Sequence, residues 1–173
     1  MKTYLLSMCL VVALISCQKN NRDIITTPTV CDIQEVYAKN ANKVTITNGI
    51  WGTVSSMEGN CMPIIDPSSN ACKHCPVKRT IQFYPYTLHS NATMIGSSNV
   101  FFSSFNAPLI AQVDADAEGF FQINIPSGHY SIAIVENGNL YANGRDGYGG
   151  LCPVNFTGGL EKINLTMTYK AAF

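Results

Sequence analysis

The chain has 173 residues, enough for one ordinary domain with a leader and a linker. Hydrophobic residues make up 46% and charged residues 13%, which excludes a globally disordered chain. Formal net charge is +0, with 11 basic and 11 acidic residues, so no basic surplus draws the protein to nucleic acid or to anionic lipid.

Lys2 gives a basic start, and Tyr4-Leu5-Leu6-Ser7-Met8-Cys9-Leu10-Val11-Val12-Ala13-Leu14-Ile15 is mostly apolar. A membrane-spanning helix needs about 20 apolar residues, so this run is too short, but it fits a secretory leader core. No other stretch of the sequence is apolar enough to span a bilayer. The run ends in Leu14-Ile15-Ser16-Cys17, which resembles the lipobox of bacterial lipoproteins. The resemblance implies that the Cys17 thiol is alkylated by a diacylglyceryl group. Small Ser16 lets the signal peptidase cut just before it, and the new amino group is then acylated. Each buried methylene contributes about 0.8 kcal/mol, and more than one chain is needed for a stable anchor. Gln18-Lys19-Asn20-Asn21 has no aspartate beside the cysteine. It therefore lacks the inner-membrane retention signal of some Gram-negative bacteria, and its polar, lysine-containing start is similar to export signals of surface lipoproteins in Bacteroidota. The expected address is the outer membrane, lipid-anchored, facing either the periplasm or the cell surface.

Residues 17–42 read as the lipidated cysteine and a polar linker, with Thr26-Thr27-Pro28-Thr29 in its middle. A short helical or extended piece around residues 32–38 fits within it. From Lys43 onward, residues 43–173 read as short strands and turns. Val44-Thr45-Ile46-Thr47 alternates and is β-branched, and Asn48-Gly49 is a turn signal. Ile50-Trp51-Gly52-Thr53-Val54 is the next strand, ended by Glu58-Gly59-Asn60. Further strands follow at Thr80-Ile81-Gln82-Phe83-Tyr84, Leu109-Ile110-Ala111-Gln112-Val113 and Phe121-Gln122-Ile123-Asn124-Ile125. Tyr130-Ser131-Ile132-Ala133-Ile134-Val135 alternates in part. Asn139-Leu140-Tyr141-Ala142, Val154-Asn155-Phe156 and Ile163-Asn164-Leu165-Thr166-Met167-Thr168-Tyr169 complete the set. No segment sustains a helical period, and no solenoid or propeller repeat is present. Many short strands broken by Gly, Pro and Asn predict an all-β sandwich.

The segment Asp114-Ala115-Asp116-Ala117-Glu118-Gly119-Phe120-Phe121-Gln122-Ile123-Asn124-Ile125-Pro126-Ser127-Gly128-His129-Tyr130-Ser131 carries a pattern. It resembles the D-x-x-G-x-F-x-I-x-L-P-x-G-x-Y-x-I core of carboxypeptidase regulatory-like domains, which have a transthyretin-like (prealbumin-like) Greek-key sandwich. Gly119 supplies the turn into a strand, and Phe121, Ile123 and Ile125 fall on one face. Pro126-Ser127-Gly128 makes a tight hairpin, with Gly128 free to take positive φ. More of the chain, from Ile50-Trp51-Gly52 to the ending Tyr169-Lys170-Ala171-Ala172-Phe173, is similar to a small group of Bacteroidota lipoproteins with this fold. In carboxypeptidases the module is an accessory domain without catalytic residues. The resemblance thus implies a non-enzymatic scaffold or binding domain with no cofactor, meeting an envelope protein, a peptide or a glycan.

Seven cysteines stand out: Cys9, Cys17, Cys31, Cys61, Cys72, Cys75 and Cys152. Without Cys9 and Cys17, five remain, enough for two disulfides and one thiol in an oxidising compartment. Cys72-Lys73-His74-Cys75 sits between Pro67-Ser68-Ser69-Asn70 and Pro76, which reads as a loop. Three readings stand side by side. Cys61, Cys72, Cys75 and Cys152 form structural disulfides, with Cys61 to Cys152 one pairing, since both follow turns and precede proline-containing segments. Alternatively, Cys61, Cys72, His74 and Cys75 hold a metal. Or the C-x-x-C pair is a redox dithiol. Asp114-Ala115-Asp116-Ala117-Glu118-Gly119 partly matches a calcium loop but has Ile125 at the twelfth position, where a bidentate glutamate belongs, so a polar turn is expected. The aromatics Phe83, Tyr84, Tyr86, Phe101, Phe102 and Phe105 read as core, with an exposed subset able to stack on sugar or peptide. Asn143-Gly144-Arg145-Asp146-Gly147-Tyr148-Gly149-Gly150 reads as a long glycine-rich turn. No Ser-His-Asp arrangement and no phosphate-cradling glycine loop is recognisable, so no enzymatic activity is expected.

Overall fold

The structure, a computed structural model, describes residues 31–63 and 72–173. The leader and Cys17 lie outside the described residues. Among those described, helix α1 (Ile33–Ala41) precedes twelve strands. The first six are β1 (Gly49–Asn60), β2 (Lys73–Pro76), β3 (Thr80–Pro85), β4 (Ala92–Met94), β5 (Phe101–Phe105) and β6 (Ala111–Asp114). They are followed by β7 (Phe120–Ile123), β8 (Gly128–Glu136), β9 (Asn139–Tyr141), β10 (Pro153–Phe156), β11 (Leu160–Lys162) and β12 (Leu165–Ala172). No described helix is long and apolar enough to cross a membrane.

Strand β1 is the spine of the first sheet. Its first half lies between β11, parallel to it with Gly49 opposite Leu160, and β7, antiparallel with Gly52 opposite Phe121. Its second half lies between β12, parallel with Val54 opposite Leu165, and β2, antiparallel with Met57 opposite His74. The second sheet is antiparallel throughout, in the order β4-β5-β9-β8-β3-β6, with β10 added to the start of β8. The two sheets close on one core. Ile50, Val54, Phe121 and Met167 come from the first sheet, and Ile81, Phe83, Ile132, Ile134, Tyr141 and Phe156 from the second. Burial of such side chains contributes about 1.5–3 kcal/mol each and is what holds the layers together. The all-β sandwich expected from the sequence is the architecture observed.

The second sheet is also covered on its other face. Tyr84, Phe102, Phe105, Ala133, Leu140, Ala142 and Leu151 form a second cluster there. This explains why β8 alternates only in part. Ile132 and Ile134 face the inter-sheet core, whereas small Ser131 and Ala133 face the covering loops. Ser131 joins that cover directly: its Oγ accepts the Thr87 N–H at 2.9 Å.

Two glycines mark where neighbouring segments of the first sheet approach too closely for a side chain. Gly119 has φ +71°, and a Cβ there would lie 2.2 Å from the Val54 carbonyl oxygen. Gly52 has no such φ, but a Cβ on it would come 1.7 Å from the Ile163 carbonyl oxygen, so only hydrogen fits. Gly128 departs from expectation. It does not have positive φ. Its role is steric, since a Cβ would meet the Tyr130 ring at 2.9 Å while the Tyr130 hydroxyl donates to the Pro126 carbonyl at 2.6 Å.

Of the flexible linker expected over residues 17–42, residues 17–30 lie outside the described residues, and residues 31–42 are instead fastened to the sandwich. Asp32 caps α1: its Oδ1 accepts the N–H groups of Gln34 and Glu35 at 2.9 and 3.2 Å. Asn40, fully buried, donates from Nδ2 to Thr53 Oγ1 and to the Glu118 carbonyl, both at 2.9 Å. A disulfide joins Cys31 to Cys75 of β2. Val44-Thr45-Ile46-Thr47 is not a strand. It runs beside β7, where the Gln122 side chain substitutes for a strand partner: Gln122 Oε1 accepts the Thr45 N–H at 2.9 Å and Nε2 donates to Thr45 Oγ1 at 2.7 Å.

Candidate functional site

Cys72-Lys73-His74-Cys75 leads into and forms part of strand β2, not a loop. In an extended chain, residues three apart point to opposite faces. Cys72 and Cys75 therefore reach different partners: Cys75 bonds to Cys31 and Cys72 to Cys61. This corrects the pairing of Cys61 with Cys152, because Cys61 is already bonded to Cys72. The free cysteine among the described residues is Cys152. The redox C-x-x-C reading is corrected for the same reason, since its two sulfurs belong to two separate disulfides. With Cys61, Cys72 and Cys75 in S–S bonds, none offers a thiolate to a metal, and no group of three or more His, Cys, Asp or Glu among the described residues converges on one point.

His74 faces the sandwich rather than solvent. Its Nε2 lies 2.9 Å from Ser55 Oγ, which in turn lies 3.0 Å from Thr166 Oγ1. Burial pushes the His74 imidazole below its ordinary pKa, so it is neutral at pH 7. A Ser–His contact invites comparison with a hydrolase, but Ser55 has no exposed surface, so no substrate reaches its Oγ. The contact is a structural pin between β1, β2 and β12.

The acidic loop after β6 is a closed turn. Asp116 Oδ1 accepts the N–H groups of Glu118 and Phe120, both at 2.9 Å, and Oδ2 accepts from Lys43 Nζ at 2.8 Å. Burial pushes the Asp116 carboxyl up, but the lysine and the backbone donors pull it lower overall. Asp114 accepts a hydrogen bond from the Thr80 hydroxyl. These carboxylates are already engaged, which fits the polar-turn reading.

Four of the six aromatics sort as core, whereas Tyr86 and Phe101 are half-buried. Phe83 and Phe102 are fully buried, and Tyr84 and Phe105 nearly so. His89 opens a short 3-10 turn. His129 is exposed on β8 and stacks on Tyr86 at 4.2 Å between ring centroids. Asp146 organises the glycine-rich loop: Oδ1 accepts the N–H groups of Tyr148 and Gly150, and Oδ2 accepts the Tyr86 hydroxyl at 2.9 Å. Tyr148 is thereby displayed with 89% of its surface exposed.

A cleft lies where the two sheets part. It holds about 390 Å³ and is walled by Ile132, Ile134, Tyr141, Val154, Ile163 and Leu165. Asn143, Arg145, Asn164 and Thr166 supply the polar lining, and Cys152 also faces the cleft. Cys152 adopts φ +37° and its Sγ accepts the Gly144 N–H at 3.2 Å. Burial pushes its thiol above the ordinary range. Of the cysteines and histidine singled out in the sequence as candidate site residues, Cys152 alone belongs to this cleft, while Asn143, Gly144 and Arg145 reach it from the glycine-rich stretch. The loop that brings Arg145 to it is visible in the sequence only as glycine-rich. The walls come from four separated segments, so no local motif marks them.

Compared with protein-family models, with curated proteins and with solved structures, the chain finds no match in any of the three.

Proposed function

We propose that the chain is a lipid-anchored cell-envelope protein whose β-sandwich is a non-enzymatic binding or scaffold domain. Its address is the outer membrane, with the anchor at Cys17 and the domain facing the periplasm or the cell surface. The observation that carries this reading is the pair of disulfides, Cys31–Cys75 and Cys61–Cys72, in a chain that begins with a leader-like run ending in Leu14-Ile15-Ser16-Cys17. Disulfides persist in oxidising compartments and are rare in a reducing cytosol. Two independent features thus agree on export.

The fold we assign is the transthyretin-like Greek-key sandwich of carboxypeptidase regulatory-like domains. Supporting it, β1 and β12 run side by side and parallel, and β3 lies between β6 and β8, so sequence neighbours are not sheet neighbours. The non-enzymatic assignment rests on the state of the candidate groups. Ser55 is buried, Cys61, Cys72 and Cys75 are oxidised, and Asp116 is committed to a turn. The domain's partners are an envelope protein, a peptide or a glycan.

Growth with labelled palmitate tests the anchor. The wild-type chain is expected to carry label and to sediment with outer membranes. Cys17→Ser is expected to lose both. Retention of label in the variant would overturn the assignment.

A further inference from the structure

We propose that the cleft between the sheets binds a small amphiphile: an alkyl chain of about eight to ten carbons seated between Ile134 and Leu165, with its carboxylate on Arg145. The inference rests on the reading of the domain as a binding module and gives it a small-molecule ligand besides those partners.

Close-packed interiors leave few voids larger than a water molecule. An opening of about 390 Å³ between two packed sheets departs from that norm and falls at the lower end of small-molecule sites. It is held open by bonds that cross it. Asn143 Nδ2 donates to the Thr166 carbonyl at 3.3 Å and to Thr168 Oγ1 at 3.2 Å, so the loop after β9 is tied to β12. The Cys152 N–H donates to the Gly144 carbonyl at 2.9 Å, closing the base of the same loop. The cleft is therefore formed before any ligand arrives, which lowers the cost of binding.

The walls choose an apolar body. Ile132, Ile134 and Val154 line the side of the second sheet, and Ile163 and Leu165 the other. A methylene occupies about as much room as a water molecule's share of roughly 30 Å³. A chain of eight to ten carbons with its head group thus fills most of the space.

The head group follows from charge. Among the described residues, Arg145 is the sole charged one in the lining. No carboxylate among the described residues forms an ion pair with it. Its sequence neighbour Asp146 is turned away, held by Tyr86 and by two backbone N–H groups. Arg145 Nη2 donates to the Asn99 carbonyl, which fixes the guanidinium while leaving other donors of its fork unused. A planar carboxylate matches that fork, whereas an amine would be repelled.

Cys152 lines the cleft and serves as the reporter. Full-length protein in isolated membranes is treated with N-ethylmaleimide, and alkylation of the Cys152 peptide is followed by mass spectrometry. Decanoate is expected to slow that alkylation at least fivefold, with decylamine at equal concentration giving little protection. Arg145→Gln, an exposed change that leaves the walls intact, is expected to raise the decanoate concentration for half-protection about tenfold. No protection by decanoate, equal protection by decanoate and decylamine, or an unchanged midpoint in the variant would each overturn the assignment. Failure of the binding-module reading looks different: decanoate or a decanoyl ester would be converted to product, detected in the same samples.

Discussion

Removing the Cys31–Cys75 bridge by alanine substitution at both positions should destabilise the domain more than removing Cys61–Cys72. The two bridges are nested, the inner spanning 11 residues and the outer 44. On the loop-closure account, the inner cross-link restricts the unfolded chain by about 2.8 kcal/mol and the outer by about 4 kcal/mol. With the inner bridge intact, its 11 residues are already short-circuited, so the outer one closes an effective loop of about 33 and contributes about 3.7 kcal/mol. The outer bridge also fastens α1, which without it keeps the Asn40 contacts to Thr53 and Glu118. Urea unfolding followed by circular dichroism and tryptophan fluorescence reads the difference. At a slope of about 2 kcal/mol/M, the outer-bridge variant should lose nearly 2 M in midpoint and the inner-bridge variant about 1.4 M. Loss of less than about 0.5 M on removing the outer bridge, or a larger loss from the inner one, would refute the reasoning.

Three further outcomes are expected. Gly52→Ala places a Cβ 1.7 Å from a backbone oxygen that cannot yield without moving Ile163, so it should cost upward of about 4 kcal/mol in urea unfolding. His74 is held neutral by burial, so its contribution is complete above pH 6.5 and is lost as pH falls below that value towards its depressed folded pKa; His74→Gln should flatten the stability profile between pH 7 and 5. Burial pushes the Glu136 carboxyl up, but Arg79 and the Tyr169 hydroxyl, at 2.6 Å, pull it below its ordinary 4.5. Its contribution is therefore present above pH 4.5 and lost as pH falls through the lower folded value. Arg79→Met should shift this acid limb to higher pH and cost about 3 kcal/mol at pH 7, at the low end for a broken buried pair because Arg79 is one-third exposed.

The core of the sandwich was legible where one strand face is buried and the other is not. Phe121, Ile123 and Ile125 alternate with polar residues, and the first and last of these are buried in the inter-sheet core. Legibility fails where that condition fails. Phe101-Phe102-Ser103-Ser104-Phe105 forms β5 without alternation because its sheet is covered on both faces. Strand β2 has the composition of a loop and is held by pairing to β1 and by two disulfides. Helix α1 has nine residues, too few for a periodic signal to stand out, and it depends on the Asp32 cap and Asn40. The cysteine count foretold two bridges and one thiol, but not which pairs. That depends on the opposite facing of Cys72 and Cys75, visible only once β2 is known to be a strand. The cleft was not legible at all, because its walls meet only in three dimensions.

The central claim is that export and acylation at position 17 place this sandwich on a membrane. The most direct measurement is the mass of the amino-terminal peptide of the protein taken from its native envelope. An amino terminus at Cys17 carrying a diacylglyceryl group and a further acyl chain is the expected result. An unmodified Cys17 still joined to Ser16 would contradict it.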